Sequence, residues 1–69
     1  MYLVIELQTI NGVTANIITQ YETQALAEQQ YYFILSAAAV SNLDVHSAIL
    51  MDCRGSVLKN DFYDRRENV

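Results

Sequence analysis

The sequence predicts an α+β fold of order β-β-α-β-β, a four-stranded antiparallel sheet with one helix packed on it. Three features predict it: an alternating segment and a β-branched segment joined by an Asn-Gly pair, a long central stretch without Gly or Pro, and two shorter apolar segments joined around Gly55. The chain has 69 residues, the size of a single domain. We therefore expect one α+β domain over residues 1–63 and a flexible C-terminal tail over 64–69.

The first two strands are predicted to form a hairpin. Residues 2–9 alternate in a pattern typical of a strand with one better-buried face. One side carries Leu3, Ile5 and Leu7, and the other carries Tyr2, Val4, Glu6 and Gln8. The Asn11-Gly12 pair that follows favours a type I′ turn, because both of its central positions need a positive φ. The β-branched residues 13–20 then supply the return strand.

A helix is predicted next, followed by two more strands. The helix begins within residues 20–24, where Thr19 and Glu22 fit a capping box and Thr23 is an alternative N-cap. It ends at Ser41-Asn42. Residues 44–53 predict the third strand and residues 57–63 the fourth, which is weaker because it is polar at its middle.

The helix carries two apolar stripes that point in different directions. The stripe expected to face the sheet contains Ala27, Tyr31, Ile34, Leu35 and Ala38. The second stripe, which we call the outer helix surface, contains Leu26, Phe33, Ala37 and Val40. One sheet cannot cover both stripes, so we expect the outer helix surface to be an interface between subunits. An ordinary packing helix partly covered by loops and tyrosines is the alternative.

The composition also favours an oligomer. Hydrophobic residues make up 52% of the chain and charged residues 17%, and there is one cysteine, so no disulfide can form within the chain. Domains of this size bury only about 60% of their unfolded surface and are marginally stable without a staple or a partner. Association with a second copy, as a homodimer or a larger assembly, reconciles these facts.

The charge pattern argues against nucleic acid as a ligand. The net charge is −4, and all four basic residues lie at or beyond Arg54. Neutralising phosphates needs a broad basic surface, which the first two-thirds of the chain does not supply. The N-terminus lacks the basic region of a signal peptide, and the longest apolar run is about half of a membrane span. A cytoplasmic location without a membrane partner is expected.

No enzymatic motif is found in the sequence. His46 shares a strand face with Ala48, Leu50 and Asp52, while Cys53 faces the other way, which disfavours a Cys-His nucleophile pair. Neither residue has neighbours at metal-ligand spacing. We therefore expect no catalytic residues, no metal and no cofactor, and a structural or interfacial role for His46.

One modest binding constellation is present. Arginine offers bidentate contacts to phosphate or carboxylate, and tyrosine can stack on a planar base. The candidate residues for a small anionic ligand, held in a pocket between subunits, are Arg54, Arg65, Arg66, His46 and Tyr32. Solvated arginines and packed tyrosines are the alternative interpretation.

Much of the chain resembles a group of small bacteriophage and prophage proteins of gut Firmicutes. The likeness is carried by "AEQQYYFILSAAAVSNLDVHSAIL" and "RGSVLKNDFY", and above all by Glu28, Tyr31, Ile34, Leu35, Ala38 to Ser41, His46 to Ala48, and Gly55. Position 32 is Tyr where members of that group tend to have His. The resemblance implies a phage origin and a host cytoplasm, and since none of these residues forms a catalytic motif, it says nothing about activity.

Two functions are therefore expected. The first is a non-enzymatic, homo-oligomeric accessory module of phage type, held together by the outer helix surface and binding a host or phage protein. The second is an anti-defence sponge that sequesters an anionic nucleotide signal between subunits. Mass measurements and titration with nucleotides distinguish them.

Overall fold

A computed structural model describes residues 1–66 and confirms the predicted β-β-α-β-β order. The strands pair as one antiparallel sheet in the order β2-β1-β3-β4, and the helix packs on one face of it. The elements are β1 (Tyr2–Ile10), β2 (Val13–Tyr21), α1 (Gln24–Ala38), β3 (Val45–Asp52) and β4 (Val57–Asp64).

The turn between β1 and β2 has the predicted conformation. Asn11 and Gly12 both have positive φ, 52° and 78°, as a two-residue type I′ turn requires. This turn sets a register in which Ile10 pairs with Val13 and Tyr2 with Tyr21, without interruption. The hairpin therefore places β1 in the interior of the sheet and leaves β2 at one edge.

The helix begins at the later of the two predicted caps. Thr23 has an extended backbone, and its hydroxyl accepts a hydrogen bond from the N–H of Leu26 at 3.2 Å. The capping box at Thr19 was wrong, because β2 continues to pair with β1 as far as Tyr21. Thr19 lies within that strand, and its hydroxyl donates to the carbonyl oxygen of Val4.

The core lies between the helix and the two interior strands. The helix buries the stripe that was expected to face the sheet, through Ala27, Tyr31, Ile34 and Ala38, with Leu35 at its margin. From the sheet, the buried apolar side chains are Val4, Ala48 and Leu50. This core is small, because two of its four helical side chains are alanines.

The helix covers the more polar face of the sheet. Val4, Glu6 and their even-numbered neighbours on β1 face the helix, as do His46 and the even-numbered residues of β3. The odd-numbered residues of β1 and β3, with their partners on β2 and β4, form the opposite face, which we call the open face. Its large apolar side chains include Leu3, Ile5, Leu7, Ile18, Ile49 and Phe62. The described residues contain no second layer to cover them.

The edge strand β2 pairs with its neighbour in a regular register, whereas the pairing of the edge strand β4 is irregular. The register between β3 and β4 shifts at Leu50/Met51, so that Leu58 is an extra residue, and β4 also carries charged side chains.

Strand β4 extends to Asp64, one residue beyond the predicted domain boundary. The rest of the predicted tail includes 67–69, which lie outside the described residues. No helix in the described chain is long and apolar enough to cross a membrane.

Candidate functional site

A buried polar cluster connects β1, β3 and the end of the helix. Nε2 of His46 lies 2.6 Å from a carboxylate oxygen of Glu6, and the amide of Gln8 donates to the same oxygen at 2.9 Å. The imidazole is only 4% exposed. Since an ionised carboxylate only accepts hydrogen bonds, Nε2 carries the hydrogen in this contact. The cluster therefore satisfies polar groups that would otherwise be costly to bury.

The other ring nitrogen of His46 contacts the segment that follows α1. The hydroxyl oxygen of Ser41 lies 3.0 Å from Nδ1 and 3.3 Å from the carbonyl oxygen of Ala38. The guanidinium of Arg65 donates to the same carbonyl at 2.5 Å, and its backbone N–H donates to the carbonyl oxygen of Asp44. A cation that satisfies the last carbonyls of a helix also complements the helix dipole. Arg65 therefore caps the C-terminal end of α1.

The Ser41, His46 and Glu6 side chains form a continuous hydrogen-bonded chain, an arrangement that can orient a hydroxyl for attack in hydrolytic enzymes. In this protein the histidine is buried, and the hydroxyl of Ser41 donates its hydrogen to the carbonyl oxygen of Ala38 at the end of the helix. The geometry therefore favours a structural function, fastening the helix end to the sheet.

The remaining candidate arginines pair with neighbouring acids. Arg54 donates to Asp52 through Nε at 3.2 Å and Nη2 at 2.9 Å, and Arg66 donates to Asp64 through Nε at 3.0 Å and Nη2 at 2.7 Å. The Arg54 side chain, and then the backbone N–H of Ser56, lower the pKa of Asp52. The Arg66 side chain, and then its backbone N–H, lower the pKa of Asp64 to about 2.

The five anion-binding candidates do not all meet within one chain, although His46 and Arg65 are connected through Ser41 and the carbonyl oxygen of Ala38. Arg54 follows β3 at one end of the sheet, while Arg65 and Arg66 follow β4 at the other end. The eight residues of β4 span roughly 26 Å at about 3.3 Å per residue. His46 is buried near the Arg65 end, and Tyr32 lies on the helix with the ammonium of Lys59 5.8 Å from its ring centroid. A shared pocket would need residues from more than one subunit.

Cys53 is an exposed free thiol beyond the end of β3. Within residues 1–66, no three His, Cys, Asp or Glu side chains are close enough together to hold a metal ion.

Apolar side chains remain exposed on the helix. Phe33 is 68% exposed and Val40, just beyond the helix end, is 85% exposed, while Leu26 and Ala37 are also exposed. The predicted outward orientation of these four residues is confirmed. Exposed apolar groups of this kind, lying on one side of one helix, are typical of surfaces that contact another protein.

The pairing of Asp64 predicts a specific acid response. A carboxyl group with a lowered pKa stabilises the fold above its ordinary pKa of 3.8 and loses that contribution as the pH falls towards about 2. We expect Asp64→Asn to show a flatter loss of stability than the parent chain between these pH values, measured by urea unfolding at a series of pH values.

Asp61→Asn is the matched control on the same strand. Asp61 accepts a hydrogen bond from the N–H of Phe62, and no arginine contacts it in the described part of the chain. If the free energy of unfolding fell equally with pH for Asp64→Asn and the parent chain, the ion pair would not stabilise the fold in solution.

Two members of the polar cluster could not be identified from the sequence. Glu6 is 40 residues from His46 along the chain, and it meets His46 only because β1 pairs with β3. Ser41 was predicted to mark the helix end, but α1 ends three residues earlier, at Ala38, and the contact of Ser41 with His46 depends on where the helix ends over the sheet. In the sequence, the one signal of this cluster was Glu6, a charged residue among the largely apolar residues of β1.

Comparison with known proteins found no matching family model, no similar curated protein and no similar solved structure.

Proposed function

We propose that this chain is a non-enzymatic, homo-oligomeric binding module of phage type, and that the outer helix surface contacts neighbouring protein chains. One observation carries the proposal: Phe33, on a helix whose opposite side packs on the sheet, and Val40, two residues beyond the end of that helix, are both exposed. Burying an exposed phenylalanine contributes roughly 1.5–3 kcal/mol. Two copies related by a two-fold axis would bury this side chain on both subunits.

The composition of the helix supports close approach. Residues 36–39 are Ser-Ala-Ala-Ala, so another backbone can pack against this part of the helix without large side chains intervening. Glu28 is the one charged residue within α1, so two helices would not repel each other strongly. The complex would then present a composite surface to a host or phage protein.

The nucleotide sponge is a second hypothesis with less support. Arg54 and Arg66 already pair with carboxylates. The side chain of Arg65 donates a hydrogen bond to the carbonyl oxygen of Ala38 at the end of the helix. An anion would have to compete with these contacts. Native mass spectrometry of the protein with cyclic and ADP-ribose-type nucleotides tests this hypothesis. A stable mass increase would favour the nucleotide sponge over the protein-binding module.

Phe33→Gln tests the proposed helix contact. We expect it to weaken self-association at least tenfold, because about 1.4 kcal/mol of lost burial corresponds to a factor of ten. The readout is the weight-average mass from light scattering over a micromolar concentration series. Tyr32→Gln is the control, since Tyr32 is the neighbouring exposed aromatic residue but packs beside Tyr31 and Lys59. Equal masses for Phe33→Gln and the parent chain would contradict the proposal.

A further inference from the structure

Among residues 1–66, the open face of the sheet is the larger uncovered apolar surface. Each interior row of the face crosses all four strands; one such row consists of Ile18, Ile5, Ile49 and Asn60. Across the whole open face, apolar residues occur on all four strands, and Ile18 is 57% exposed. A sheet normally packs its more apolar face against a second layer, whereas here the helix occupies the more polar one.

The charge distribution permits two open faces to meet. The charged side chains of the interior strands, including Glu6 and Asp52, lie on the helix side. The polar members of the open face are mainly Ser, Thr, Asn and Gln, and Asp64, at the end of β4, is its charged member. A chain with a net charge of −4 can therefore bring this face against its own copy without opposing like charges at the centre.

The size of the open face also suits a dimer. Four strands about 4.8 Å apart and eight residues long give a face of roughly 19 by 26 Å. Two such faces bury on the order of 1,000 Å² even when treated as flat, which is close to the minimum of about 1,000 Å² for a specific interface. Side chains projecting from both sheets increase this area, and packed sheets lie about 10 Å apart.

We propose that a second copy of this chain covers the open face, with the two sheets packed face to face about a two-fold axis. This inference rests on the proposed self-association and assigns it a second, larger interface. Because α1 lies on the opposite side of the sheet, the outer helix surface stays free in this dimer. Two different two-fold interfaces build an assembly of four chains or more.

Adjacent residues of β2 provide a matched test. Ile18 pairs with Ile5 on the open face, whereas Ile17 pairs with Glu6 on the helix side, and the two are 57% and 50% exposed. Both residues lie on the same edge strand, so pairing through the strand edge would respond similarly to a lysine at either position. We expect Ile18→Lys to weaken the sheet-to-sheet contact at least tenfold, and Ile17→Lys to leave the assembly mass unchanged. Circular dichroism checks that both variants keep the parent fold.

Light scattering on Ile18→Lys, Phe33→Gln and their combination separates the two interfaces. The expected result is the mass of a dimer for each single variant and the chain mass of 7.8 kDa for the combination. If Ile18→Lys keeps the parent mass, the open face is not the interface, and the inference is overturned. If Ile17→Lys and Ile18→Lys dissociate the assembly equally, the strand edge joins the copies instead. If Phe33→Gln alone has no effect, the helix contact fails while the sheet contact stands.

Discussion

Leu50→Ala is expected to lower the free energy of unfolding by about 2–5 kcal/mol. Leu50 is fully buried on β3, between Val4 of β1 and Lys59 of β4, and it belongs to the core beneath the helix. Truncation leaves a cavity that the neighbouring alanines cannot fill. A domain of this length has a total stability of only about 3–10 kcal/mol, so the loss is a large fraction of it.

Leu58→Ala is the matched control for this prediction. Leu58 is the extra residue of the irregular pairing in β4 and is exposed, so the same truncation there should cost less than about 1 kcal/mol. Urea unfolding followed by circular dichroism measures both, at one fixed protein concentration because association shifts apparent stability. Equal losses for the two variants would show that the core is not where the structure places it.

Glu6→Ala is expected to cost about 1–3 kcal/mol, because it leaves Nε2 of His46 buried without its partner. Glu6→Gln should cost less, since an amide oxygen can still accept the hydrogen bond from Nε2. Replacing both residues together, as Glu6→Leu with His46→Leu, should restore much of the stability, as apolar replacement of a buried polar pair often does.

Thermal or urea unfolding of these three variants measures how much the buried polar cluster contributes to the free energy of unfolding. A smaller loss for Glu6→Gln than for Glu6→Ala supports a hydrogen-bonding function. Equal losses would mean that the aliphatic part of Glu6, rather than its carboxylate, stabilises the fold.

The order and kind of the elements could be predicted because their signals are local. The alternation in residues 2–9, the Asn-Gly turn and the uninterrupted helical stretch each depend on near neighbours, and each formed as expected. The N-cap was harder to place, since Thr19 and Thr23 both satisfy local rules. The choice between them depended on how far β2 pairs with β1.

The side of the sheet that receives the helix could not be predicted from the alternation. Leu3, Ile5 and Leu7 are more apolar than Val4 and Glu6, yet the helix packs on the Val4 side. That choice depends on how the chain turns from β2 into the helix, which is a tertiary property. The same limitation applies to the candidate site, where Arg54 and Arg65 lie at opposite ends of the sheet although their sequence positions are close.

In the proposed assembly, other copies of the chain cover the apolar surfaces that one subunit leaves exposed. Sedimentation equilibrium of the unmodified chain at micromolar concentration tests it most directly. We expect a mass of roughly four chains or more, each of 7.8 kDa, which dissociates on dilution. A single species of 7.8 kDa across the whole concentration range would contradict it.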